Sequence, residues 1–132
     1  MQYVAIVTVV ALLQFIWFGW QVGVARSKYN IPAPAVSGNE IFDRVFRVHV
    51  NTLEQLVVFL PALWIFAFFI SPIWAAAIGV VYVIGRAIYA RSYVKDPKGR
   101  SLGFALSMLP TMLMLLGILV WAVWALVKAP PV

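Results

Sequence analysis

Long apolar runs broken by short polar ones dominate the chain. No residue from 1 to 25 is charged. A helix that crosses a bilayer needs about 20 mainly apolar residues, so a first span is predicted over residues 2–25. The run is too long for a cleaved signal peptide and lacks the basic start of one. Residues 26–43 are polar and carry Pro32, Pro34 and Gly38, which mark a loop. Residues 48–85 hold a single charge, Glu54, and are too many for one span. Ser71-Pro72 divides them, because proline disfavours helix in the residue before it. Two spans follow, over 42–70 and 73–93. Asp96-Pro97 and Lys98-Gly99 are turn signals in a charged loop. A fourth span covers 102–127, with a kink expected at Pro110, of the kind buried membrane helices tolerate. The expected fold is a single domain over 1–132: an all-α integral membrane protein, a four-transmembrane-helix antiparallel bundle.

Composition agrees with this pattern. Of 132 residues, 64% are hydrophobic and 11% are charged, against about 25% charged in an ordinary soluble domain. That excludes a water-soluble globule, a disordered chain and a separate soluble domain. Cysteine is absent, which excludes disulfides, thiolate metal sites and a protein-borne thiol nucleophile. One histidine and four acids argue against any metal site. The net charge of +6 is not a nucleic-acid signal here, because the basic residues flank apolar spans. Arg26, Lys28, Arg44, Arg47, Arg86, Arg91, Lys95, Lys98 and Arg100 all fall at the loop end, and Lys128 alone at the other. The positive-inside rule then puts the loops in the cytoplasm and the termini outside. The short loops point to a bacterial inner membrane.

The polar residues inside the spans are the candidate chemistry. Arg44, Arg47, Asn51 and Glu54 share one face of the second span, within about 80° at 100° per residue; His49 points away from it. Snorkelling at a helix end explains Arg44 as well as any function does. Glu54 is deeper, about 10–12 Å along the helix from Arg47, and is expected to be too far from it to pair directly. An unpaired charge at that depth costs at least about 2.5–3.5 kcal/mol. Glu54 is therefore protonated, paired with another helix or chain, or bound to a cationic ligand group. On the third span Tyr82, Arg86, Tyr89 and Tyr93 form a second stripe, and a packing pair Glu54–Arg86 is as good a reading as a ligand site. Gln14 and Gln21 share a face of the first span and read as interhelical hydrogen-bonding groups. Trp121 and Trp124 read as interface anchors; Trp17, Trp20, Trp64 and Trp74 read as anchors or lipid-facing bulk. Together the groups form a cation-rich pocket with one carboxylate, complementary to a zwitterionic but net anionic ligand. Arginine's planar fork suits carboxylates.

The run Arg47-Val48-His49-Val50-Asn51-Thr52-Leu53-Glu54 resembles the signature of the MAPEG family, the membrane-associated proteins of eicosanoid and glutathione metabolism. It is most similar to the microsomal glutathione transferase and leukotriene-C synthase branch. The similarity continues through Phe59-Leu60-Pro61-Ala62-Leu63-Trp64, then through Tyr82, Arg86, Tyr89 and Tyr93 to Arg100. It spans residues 25–100; the first and fourth spans match mainly in hydropathy. The resemblance implies a homotrimer with active sites between neighbouring chains and glutathione bound at the cytoplasmic end. By position it implies that Arg47 and Asn51 hold carboxylate or backbone groups of glutathione and that Glu54 meets the γ-glutamyl ammonium. Tyr89, Tyr93 and Arg26 complete the pocket, with Arg86 and His49 among the binding residues and Arg100 facing the thiol. Gln55, His49 and Ser27 depart from the branch's usual residues, which bears on the eicosanoid substrate more than on glutathione.

The implied chemistry is physically reasonable. A thiol with a pKa of about 8.5 is mostly protonated at neutral pH. Lowering that value by about two pH units needs roughly 2.7 kcal/mol, which one arginine in a partly dehydrated site can supply. The thiolate then attacks a lipophilic electrophilic small molecule dissolved in the bilayer, entering between the first and fourth spans. Glutathione-dependent peroxidase activity is a variant of the same chemistry. Two readings compete: a small four-helix transporter using Glu54 for proton coupling, and a non-catalytic lipid-binding member of the same fold.

Overall fold

The computed structural model describes residues 1–131 and consists of four long helices. They are α1 (Gln2–Tyr29), α2 (Glu40–Phe69), α3 (Pro72–Lys95) and α4 (Ser101–Lys128), with a 3-10 turn at Pro97–Arg100 leading into α4. All four are long and apolar enough to cross a membrane. The expected spans fall on these helices, and α1 runs four residues beyond its expected end at 25. Arg26 and Lys28 occupy its last turn, where positive charge complements the helix dipole.

The helix ends follow local chemistry. Asn30 adopts the left-handed conformation at φ 54° and closes α1, a role asparagine tolerates better than most residues. The Asn39 side chain accepts from the Ile41 and Phe42 amides at 2.9 and 3.1 Å and caps α2. Ser71 caps α3 through the Trp74 amide at 3.2 Å, with Pro72 in the first turn. Asp96 accepts from the Lys98 amide at 3.0 Å and starts the 3-10 turn. Both α2 and α4 continue through an internal proline, Pro61 and Pro110.

The pair α2–α3 forms the middle of the bundle, with α1 on one flank and α4 on the other. Val4, Ala11, Phe59, Ala62, Leu63, Ala75 and Met114 fill the core. The outer surface is more apolar in bulk: Trp20, Phe68 and Leu126 are all largely exposed. Such a surface is unstable in water but matches hydrocarbon. Trp64 is more than lipid-facing bulk, since its indole N–H donates to Thr8 Oγ1 at 3.0 Å and ties α2 to α1. Gln14 donates to the Val83 carbonyl at 3.0 Å, the interhelical bond its position predicts.

Arg44 fixes the two loops at one end. It pairs with Glu40 one turn away and donates to the Val94 and Lys95 carbonyls at 3.2 and 3.4 Å. The last carbonyls of α3 have no partner within their own helix, and Arg44 satisfies them from α2.

Candidate functional site

Two glycines let α4 approach α3 closely. A Cβ on Gly103 would lie 2.3 Å from the Tyr89 amide nitrogen, and one on Gly85 would lie 2.6 Å from the Leu106 carbonyl carbon. The backbone contact at Gly103 carries the 3-10 turn, and Arg100 with it, to the loop end of α3. The turn before α4 and the end of α3 thus meet at one end of the chain. The Tyr89 and Tyr93 rings stack with centroids 5.5 Å apart.

Arg47 and Glu54 are within ion-pairing distance, with Arg47 Nη1 3.6 Å from Glu54 Oε1 and both side chains about half exposed. This corrects the expectation that they stand too far apart. Two helical turns separate their Cα atoms, but both side chains are long, and glutamate on a helix leans toward the N-terminus, here toward Arg47. The contact exceeds the about 2.7–2.9 Å of a charge-assisted hydrogen bond, so both groups retain bonding capacity for a third party. Glu54 is also less buried in the protomer than its depth in the span implies. A lone buried carboxylate, as the transporter reading needs, is not what α2 displays.

The postulated Glu54–Arg86 pair does not form. Arg86 has no exposed surface. Its Nη2 donates to Asn51 Oδ1 at 2.9 Å and Thr52 Oγ1 at 2.8 Å, and Nη1 reaches Ser107 Oγ at 3.4 Å. Its guanidinium also lies 4.4 Å from the Tyr89 ring centroid. The fork is directed into the protein, not toward an open site, because α2 and α4 present small hydroxyl and amide groups at its level. Thr52 and Ser107 went unnoticed in the sequence, where both look like ordinary small polar residues. Tyr82 is buried and lies flat on Phe59 with centroids 3.7 Å apart, so the tyrosine stripe divides. Tyr82 belongs to the core, while Tyr89 and Tyr93 belong to the loop end.

Arg26, in the last turn of α1, and His49, on the side of α2 that packs on α1, lie apart from this set. Arg26 Nη1 donates to the Ala35 carbonyl at 2.6 Å, and its guanidinium is 5.1 Å from the Phe42 ring centroid. His49 stacks on Phe15 with centroids 4.6 Å apart. Gln55, near the α4 face, approaches Met108 Sδ at 3.9 Å. The structure therefore pairs Arg47 with Glu54 on α2, stacks Tyr89 on Tyr93 on α3, and brings Arg100 to the same loop end through the Gly103–Tyr89 contact. It sets Asn51 behind them on Arg86 and leaves Arg26 and His49 apart.

Such a set offers exposed cations and one exposed carboxylate, with Tyr93 half-buried and Tyr89 buried among Phe18 and Val48. Residues 4–120 match the model of the MAPEG family. The chain is 43% identical over 122 residues to an uncharacterised protein of Synechocystis sp., covering 92% of this chain and 89% of that protein. It is 38% identical over 116 residues to microsomal glutathione S-transferase 2 of Homo sapiens, covering 87% and 79%. It is 35% identical over 96 residues to leukotriene C4 synthase of Mus musculus, covering 73% and 64%. With the signature on α2 and four membrane-length helices, these matches establish an integral membrane protein that belongs to the MAPEG family.

Proposed function

We propose that the chain is a membrane glutathione transferase that binds glutathione at the loop end and activates its thiol as thiolate. The observation that supports this reading is the loose, half-exposed Arg47–Glu54 pair on α2, at the end of the bundle where the Gly103–Tyr89 contact also carries Arg100. Glutathione at neutral pH carries two carboxylates and one ammonium. Arg47 takes a carboxylate, Glu54 the ammonium, and Asn51, oriented by Arg86, a backbone amide. Arg100 faces the sulfur and stabilises its anion. The thiolate attacks a lipophilic electrophile from the bilayer; the sulfur–carbon bond forms as the leaving group departs or an epoxide oxygen opens and is protonated. A hydroperoxide in place of the carbon electrophile gives peroxidase chemistry.

The protomer lacks part of this pocket, because Arg26 and His49 sit on its opposite side. A homotrimer resolves the difference. The α1 side of one chain then meets the α3–α4 side of the next, and Arg26 completes the neighbour's site. The basic loop end faces the cytoplasm, where the tripeptide is dissolved, and in a bacterium the membrane is the inner one.

Calorimetry of glutathione with detergent-solubilised protein, followed by the ultraviolet thiolate band, tests the reading. The wild type is expected to hold most of its bound thiol as thiolate at neutral pH and to conjugate a generic aromatic halide. In Arg100→Ala, glutathione still binds, but the thiolate fraction falls to a few per cent, as for a thiol with a pKa of about 8.5 in water. An unchanged band in that variant removes Arg100 from the chemistry. No binding of glutathione to the wild type overturns the proposal.

A further inference from the structure

A cleft of about 880 Å3 opens between α1 and α3, with the start of α2 as its floor. None of the residues assigned to glutathione lines it. Its volume is within the about 300–1,000 Å3 range of ligand pockets, and its wall is mostly apolar. Lys28, Arg91 and Lys95 form its rim, Trp17 and Trp20 its wall, and Gln14 its deep end, with no acidic residue among the lining residues. The Lys28 ammonium stands 5.4 Å from the Tyr29 ring centroid. Asp96 and Glu40, the acids nearest in sequence to this rim, are engaged with the Lys98 amide and with Arg44. The rim charges have no carboxylate partner among the described residues. At the deep end Gln14 Oε1 is buried without a hydrogen-bond partner.

We propose that this cleft binds one anionic phospholipid of the leaflet at the loop end, with its phosphate on the Lys28–Arg91–Lys95 rim and an acyl chain along Trp17 and Trp20. Fourteen residues of α1 separate Gln14 from Lys28, about 21 Å at 1.5 Å per residue. One leaflet of a hydrocarbon core about 30 Å thick is shallower than that, so a chain anchored at the rim fits within the cleft. A zwitterionic lipid satisfies the apolar wall equally well but not three cations without an ion-pair partner among the described residues, which attract anionic headgroups. The proposal shares no residue with the glutathione reading, and it requires that the trimer of that reading leave the cleft between α1 and α3 facing lipid.

Tryptophan quenching by bromine-labelled lipid tests it in phosphatidylcholine vesicles containing the full-length protein. The Trp17→Phe/Trp20→Phe variant defines the share of the emission that comes from the cleft. Brominated phosphatidylglycerol is expected to quench that share at a mole fraction about fivefold or more below that required of brominated phosphatidylcholine. The preference is lost in Lys28→Gln/Arg91→Gln/Lys95→Gln, and it weakens for the wild type in high salt, which screens the rim. Equal quenching by the two lipids overturns the proposal. So does a preference that survives both the triple variant and salt. A cleft component that neither lipid quenches also overturns it, because another chain then covers α1 and α3.

Discussion

Arg86 is the residue on which the interior depends. Among the described residues the ion pairs are Arg44–Glu40 and Arg47–Glu54, so this fully buried guanidinium has only neutral partners. Those partners belong to two other helices, Asn51 and Thr52 on α2 and Ser107 on α4. Each buried group left without its partner costs about 1–3 kcal/mol, although interhelical bonds within membranes average nearer about 0.6 kcal/mol. Arg86→Ala is therefore expected to destabilise the bundle by about 1–3 kcal/mol, read as a lower thermal midpoint in detergent. It also frees the Asn51 amide, so glutathione affinity falls by about tenfold or more. An unchanged midpoint shows that Arg86 does not tie the helices together. Helical spacing made Arg47, Asn51 and Glu54 visible as one face, because 100° per residue needs no structure. It said nothing of what a neighbouring helix presents, so it matched Arg86 to Glu54, the one carboxylate deep in the spans, and missed the hydroxyls. Backbone rise alone also misjudged Arg47–Glu54, since it ignores the reach of two long side chains.

At the scale of the helix, ends were legible and approaches were not. Ser71-Pro72, Asp96-Pro97 and the polar loop after α1 are local signals, and the helices begin and end at them within a few residues. The closeness of α3 to α4 is set by Gly85 and Gly103, which in sequence resemble Gly23. The structure separates them: a Cβ on Gly103 meets the Tyr89 backbone, whereas one on Gly23 meets nothing within 4 Å. Gly103→Ala is expected to push α4 away from α3 and cost about 1–3 kcal/mol, as overpacking does. Gly23→Ala is expected to leave the thermal midpoint unchanged or slightly raised, since alanine is the better helix former. The same push displaces Arg100, three residues before Gly103, relative to α3. A misplacement of about 1 Å can cost about 100-fold in rate, so Gly103→Ala should lose conjugation activity even at temperatures where it remains folded. Full activity in a folded Gly103→Ala protein would separate the α3–α4 approach from the site.

For the whole molecule, the decisive feature is that α2 displays chemistry on two sides. Arg47 and Glu54 pair on its exposed face, while His49 stacks on Phe15 of α1 and Arg26 of α1 is tied to the loop after that helix. If one pocket needs both sets, they come from different chains, and a ring of three heterologous contacts provides that arrangement. Complementation tests this directly. Arg26→Ala and Arg100→Ala are each expected to be nearly inactive when expressed alone. Co-expressed in equal amounts, they assemble mixed trimers in which each pocket draws Arg26 from one chain and Arg100 from the next. Random mixing gives both native arginines to about a quarter of the pockets, so about a quarter of wild-type conjugation activity returns. If a single chain supplied both arginines, every pocket would lack one of them and nothing would return on mixing. Activity of the mixture therefore reports where the pocket lies, independently of how tightly either variant binds glutathione, and an inactive mixture of folded, co-purifying chains would place the site inside the protomer.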